Sequence, residues 1–131
     1  PHSNYLNFIP RKEISESVAH ASCVLAEHLD ASAIIATTQS GLTARHISRF
    51  RPARPILALS PNRTTIRRLS LFWGCIPYLV PDPKDTDHMI ENAAWSSMQT
   101  GHVSKGDLVV ITSGHPVGVA GSTNMVRVKR L

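Results

Sequence analysis

The sequence predicts an α/β fold, a parallel sheet with helices on both faces and one final antiparallel strand. Three observations carry this prediction. Segments of helical period alternate with short apolar runs in the order α-β-α-β-α-β-α-β-β, a pattern that winds into a parallel sheet through helical crossovers. The runs "ASAIIAT", "RPILALS" and "DLVVITSG" are apolar through their centres, as strands covered on both faces must be. The closing segment "STNMVRVKRL" instead puts Met125, Arg127 and Lys129 on one side and Val126 and Val128 on the other, which suits a half-exposed antiparallel strand.

Each element has its own signal. Residues 1–13 show no clear period, contain Pro1 and Pro10, and read as a connecting arm; residues 14–131 read as the folded domain. From Ile14 to about Leu29, the positions Val18, Ala21, Leu25, Ala26 and Leu29 recur at helical spacing, with Glu16 and Glu27 outside. After "ASAIIAT", the residues Leu42, Ile47 and Phe50 suit a short helix beginning at about Thr43 and stopped by Pro52. "RPILALS" is followed by Asn62, a helix cap, and by Ile66, Leu69 and Phe72 on one face. "CIPYLV" is a weaker strand whose Pro77 assigns it to a sheet edge. Asp85 caps the next helix, Met89, Ala93 and Ala94 follow with Trp95, and Gly101 ends it.

Bulk properties bound the function. A chain of 131 residues holds one core, and with aromatics at only 5% that core is built from Ile, Leu, Val and Ala. The formal charge of +5 favours anionic partners. Arg45, Arg49, Arg51, Arg54, Arg63, Arg67 and Arg68 are clustered in sequence, but no Lys/Arg run is interleaved with aromatics, which argues against a nucleic-acid module. Cys23 and Cys75 form no CxxC pair and read as buried reduced thiols of a cytoplasmic protein. No apolar run reaches the roughly 20 residues of a membrane span, and no signal peptide is visible. The start at Pro1 rather than Met leaves two origins open, a processed chain or one cut from a longer protein.

Two stretches suit a ligand. In "ATTQSGLTAR" a buried strand runs through a small polar turn into a helix. Open α/β sheets bind ligands at the carboxyl ends of their strands, and bare amides at a helix start suit a phosphate. Thr38, Ser40 and Thr43 add hydroxyls there, and Gly41 lets an anion approach the backbone. The alternative is an ordinary capped turn. In "ITSGHPVGVAGSTN" the glycines Gly114, Gly118 and Gly121 and His115 occupy a link longer than the about two to five residues of a plain hairpin. That length points to a binding or regulatory loop, against the alternative of a mobile hairpin tip. None of the seven histidines forms a metal or catalytic spacing, and there is no Walker A motif, no GxGxxG and no GxSxG elbow.

The order and spacing of "TTQSGLTARHISRFRP", "PILALSPNRTTIRRLSLFWGCIP" and "KGDLVVITSGHPVGVAGSTNMVRV" resemble the C-terminal domain of pyruvate kinases from about Ile14 onward, and "SGLTA" and "GHPVG" resemble bacterial members. The resemblance implies a three-layer α/β/α fold with a five-stranded mixed sheet, order 3-2-1-4-5, the last strand antiparallel. It implies an effector-binding and oligomerising domain whose catalytic barrel, with its Mg²⁺ and K⁺, is not in this chain. The chain then has no catalytic residues, metal site or cofactor of its own, and is expected to be inactive alone. Thr38, Ser40, Gly41 and Thr43 match the family's effector-phosphate cradle. Gly114, His115, Gly118 and Gly121 match the loop that closes over the sugar. Thr123, Asn124, Val126 and Val128 match a strand that pairs across a two-fold subunit contact, giving a dimer here and a tetramer in a full-length enzyme.

Two departures bear on the ligand. Members that sense fructose 1,6-bisphosphate often carry a basic residue where Leu42 stands, and eukaryotic members an arginine where Met89 falls. The implied partner is therefore a sugar monophosphate such as ribose 5-phosphate, or an inorganic anion, and neither nucleic acid nor membrane. Three other readings remain: a free-standing protein of the same fold, an autonomous phosphotransferase, and a nucleic-acid module.

Overall fold

The structure is a computed structural model, and it describes residues 14–113 and 123–131. Four helices and five strands follow in the expected order: α1 (Ile14–His28), β1 (Ala33–Thr37), α2 (Leu42–Arg49), β2 (Ile56–Ser60), α3 (Arg63–Leu69), β3 (Cys75–Leu79), α4 (Thr86–Gln99), β4 (Leu108–Ser113) and β5 (Met125–Arg130). The sheet order is β3-β2-β1-β4-β5. The first four strands are parallel, with Ile34 opposite both Ile56 and Val110. β5 is antiparallel to β4, from Leu108 opposite Arg130 to Ser113 opposite Met125. The connecting arm assigned to residues 1–13, and Gly114, His115, Gly118 and Gly121, lie outside the described residues.

Alternation along the strands divides the core in two. Ile34, Ala36, Ile56, Ala58 and Val110 face a layer made by α1, α2 and α3, with Ala19, Cys23, Ala44, Ile47 and Leu69 above them. Ala33, Ile35, Leu57, Leu59, Val109 and Ile111 face α4, where Met89, Ile90 and Ala93 close the second core. Both faces of β1, β2 and β4 are thus dry, which is why these strands read as unbroken apolar runs. Each fully buried Ile or Leu contributes roughly 1.5–3 kcal/mol. β3 lies at an edge, where Pro77, opposite Ala58, can lack an amide without breaking an inner ladder.

The caps follow the sequence. Asn62 accepts hydrogen bonds from the amides of Thr64 (2.9 Å) and Thr65 (3.3 Å). The Asp85 carboxylate accepts from His88 N at 2.8 Å. Gly101, just past the end of α4, takes φ +81°, the left-handed geometry that stops a helix. Two local expectations are corrected, for Glu16 and Phe72. Glu16 is buried, because α1 turns Glu16, Ala19, Ser22, Cys23 and Ala26 inward; these small residues let it pack closely, leaving Ile14 and Leu29 exposed. Phe72 is not helical: α3 ends at Leu69, and Phe72 reaches the same core from the following turn. Trp95 faces solvent, at 61% exposure.

Candidate functional site

Strand order reverses between β1 and β4, since β2 lies on one side of β1 and β4 on the other. The carboxyl ends of these two strands therefore border the crevice where open α/β sheets take ligands. β1 delivers the turn Thr38–Gly41 and then α2. β4 ends at Ser113, and Asn124 N donates to Ser113 O at 3.1 Å, pinning the chain again where β5 begins.

The turn is built by short local bonds. Thr38 N donates to Leu59 O at 2.9 Å, continuing the ladder past β1. Thr38 Oγ1 accepts from Gly41 N at 2.8 Å, and Ser40 Oγ accepts from Leu42 N at 3.3 Å. Thr65 Oγ1 donates to Gln39 O at 2.7 Å, fastening the turn to α3. Gly41 caps α2 with φ 93° and ψ −6°, and as a glycine it offers the helix no side-chain cap of its own. Glycine adopts this left-handed backbone at no steric cost. The α2 first turn carries no acidic residue, so nothing there opposes an anion at the positive end of the helix dipole.

The bare amides expected of this turn are partly occupied. Those of Gly41 and Leu42 point at Thr38 and Ser40, because short hydroxyl side chains satisfy backbone donors locally. The two hydroxyls serve as acceptors in these bonds, which leaves each its own proton to donate. Ser40 is half-buried, while Thr38 is 8% and Thr43 4% exposed. Thr43 Oγ1 lies 2.5 Å from Thr123 Oγ1. Thr123 N in turn donates to Ser15 Oγ of α1 at 3.3 Å. Thr38, Ser40, Gly41 and Thr43 therefore gather at one place, with Thr123 beside them.

Of the residues assigned to a subunit contact, Thr123 is buried within the chain, Val126 packs against the first core, Asn124 is exposed just before β5, and Val128 is exposed on it. Sequence reasoning missed the Thr43–Thr123 pair; the hydroxyls themselves were visible, but their meeting depends on the β1–β4 pairing. Both cysteines are free. Burial pushes the Cys23 thiol up to about 12 and the half-buried Cys75 thiol up to about 11, so neither is a ready nucleophile at neutral pH. Among the described residues no group of three or more His, Cys, Asp or Glu is placed to hold a metal ion, and no helix is long and apolar enough to cross a membrane.

The family model for the pyruvate kinase alpha/beta domain matches residues 16–129. The chain belongs to this family. It is similar to pyruvate kinase of Clostridium acetobutylicum, 39% identical over 119 residues that cover 91% of this chain and 25% of that protein. It is also similar to pyruvate kinase of Staphylococcus aureus strain USA300, 44% identical over 115 residues that cover 88% of this chain and 19% of that protein. The chain thus spans about a quarter or less of the length of these relatives. Within this pyruvate kinase domain, Met89 is 3% exposed and packs in the core under α4. Leu42 is half-buried at the first position of α2.

Proposed function

We propose that this domain regulates and assembles a pyruvate kinase by binding a phosphorylated effector, a sugar monophosphate or an inorganic anion, at the Thr38–Thr43 turn. The parent reaction is transfer of the phosphoryl group of phosphoenolpyruvate to ADP, in glycolysis and in the cytoplasm. The chemistry, with Mg²⁺ and K⁺, belongs to a catalytic barrel beyond this chain, and the domain alone is inactive.

The observation that carries the reading is the turn itself: a left-handed Gly41 at a helix start, flanked by the Thr38 and Ser40 hydroxyls, at the reversal of strand order. An anion exchanges the inward bonds of Gly41 and Leu42 for charge-assisted ones and accepts hydrogen bonds from the Thr38 and Ser40 hydroxyls. Each such bond contributes roughly 1.5–3 kcal/mol. Effector binding regulates only if these contacts are better in one global arrangement than in another. The edge of β5, with Val128 exposed on it and Asn124 just before it, is the surface offered to a second copy, since a strand at the end of the sheet among the described residues invites pairing.

Calorimetric titration of the domain with ribose 5-phosphate, fructose 1,6-bisphosphate and inorganic phosphate tests the reading. The monophosphate is expected to bind more tightly than the bisphosphate. Tighter binding of the bisphosphate overturns the choice of effector, and no binding of any of the three overturns the site. Sedimentation of the same sample reports the dimer.

A further inference from the structure

Two helix faces far from the turn carry matching patterns. On α3 and the turn that follows it, Arg63, Arg67 and Leu71 are exposed at every fourth position, Leu71 at 82%. On α4, Asp87, Glu91 and Trp95 are exposed at the same interval. This spacing sets the members of a row on one side of a helix. Leu71 N donates to Arg68 O at 3.1 Å, so the chain keeps a helix-like course past Leu69 and holds Leu71 near its row.

The rows are complementary position by position. Two arginines and then an apolar side chain stand on one, two carboxylates and then an apolar side chain on the other. Their surroundings have the same signs. α2 and α3 hold Arg45, Arg49, Arg63, Arg67 and Arg68 and no Asp or Glu, whereas α4 holds Asp87 and Glu91 and no Lys or Arg. Arg63, Arg67, Asp87 and Glu91 have no ion-pair partner among the described residues. Like charges four residues apart on a helix repel, so each row is unfavourable by itself and is relieved by the other. The two cannot meet within one chain, because α3 covers one face of the sheet and α4 the opposite face.

We propose that the α4 row of one copy docks on the α3 row of a second copy, with Asp87 and Glu91 against Arg63 and Arg67, and Trp95 against Leu71. Exposed ion pairs contribute little alone, so they set orientation and register while Trp95 is the anchor. Trp and Arg are the residues that most often dominate an interface, and an arginine stacks well on an indole ring. The contact is heterologous. Each docking step leaves one row of each kind open, so assembly continues as a chain or closes into a ring instead of stopping at two copies. This distinguishes it from pairing through β5, and it needs no ligand at the turn.

The test is sedimentation velocity of the domain, whose two cores close within this chain, over a concentration series up to about 1 mM. Wild type is expected to form species larger than a dimer, weakened about tenfold by roughly 0.5 M salt. Glu91→Lys, Arg67→Glu and Trp95→Ser are each expected to weaken this assembly by about tenfold or more. Their thermal melts stay near wild type, since all three positions are exposed. Glu91→Lys retains an intact α3 row and Arg67→Glu an intact α4 row. Mixing these two variants therefore restores assembly, with native rows meeting at one contact and exchanged charges at the next. Pairing through β5 alone gives dimers that none of the changes alters. A wild type that stops at monomer or dimer at the highest concentration overturns the inference. So does assembly that survives all three substitutions, or a mixture that fails to recover it.

Discussion

Thr43 Oγ1 and Thr123 Oγ1 lie 2.5 Å apart with both residues closed to solvent, although 80 positions of sequence separate them. The pair ties the start of α2 to the residue that leads into β5. Each hydroxyl compensates the desolvation of the other. Thr43→Val therefore destabilises the domain by about 1–3 kcal/mol, because Thr123 is left buried without its partner. Thr43→Val with Thr123→Val costs less than the sum of the two single changes. Urea unfolding of the four proteins in a double-mutant cycle measures the coupling; strictly additive values would show that the two hydroxyls act independently.

Ser40→Asp sets a carboxylate at the start of α2, where it accepts from the Leu42 amide that Ser40 Oγ now holds at 3.3 Å. Negative charge there is favourable to the helix. The variant is expected to keep or gain stability and to lose affinity for inorganic phosphate by tenfold or more, on the order of 1.4 kcal/mol. Thermal melts and calorimetry on one preparation check both halves, and undiminished phosphate binding would refute the cradle.

Gly41→Ala separates backbone strain from crowding. A Cβ at this position meets Thr65 Cγ2 at 3.5 Å and Leu69 Cδ2 at 3.6 Å, which are ordinary contacts, while φ stays at +93°. The expected loss is about 1–2 kcal/mol, the cost of a left-handed backbone for an L-residue. A urea midpoint equal to wild type would mean that the turn relaxes to another conformation.

Burial raises the Cys23 thiol from its ordinary 9.0 to about 12. Between those values the folded chain keeps a proton that the unfolded chain has released. The stability this group contributes is full below pH 9 and declines as pH rises toward 12, with a slope up to about 1.4 kcal/mol per pH unit. Cys75, raised to about 11, acts in the same direction. Urea unfolding from pH 8 to pH 11 is expected to show a steeper decline for wild type than for Cys23→Ala, and parallel curves would refute the assignment.

Much of this architecture is legible because its signals are local. Asn62 and Asp85 announce their helices through side chains that reach amides two or three residues on. Pro77 announces the sheet edge because it has no amide to give. What escaped depends on pairing between distant segments. Charge alone ranks Glu16 as an outside residue, but it shares the inward face of α1 with Ala19, Ser22, Cys23 and Ala26 and is buried there. The turn "TTQSGLT" is legible as a small polar link from a buried strand into a helix, whereas the partners of its members are not. Gln39 finds Asp82 and Thr43 finds Thr123 only once β2 and β4 have flanked β1.

The pairing of β1 with β4 also has a consequence for how the chain reaches its native state. β1 meets β2 across one helix, but it meets β4 only after α2, β2, α3, β3 and α4 have intervened. Closing that longer interval carries the larger loop-closure entropy, which must be met before its contacts form. The place beside Thr38, Ser113 and Thr123 is built where β1 and β4 pair, so it exists only in chains that have made that pairing. Any molecule that fits there recognises the completed domain alone. A molecule that binds there and not to the unfolded chain would add to the stability of the whole domain by mass action.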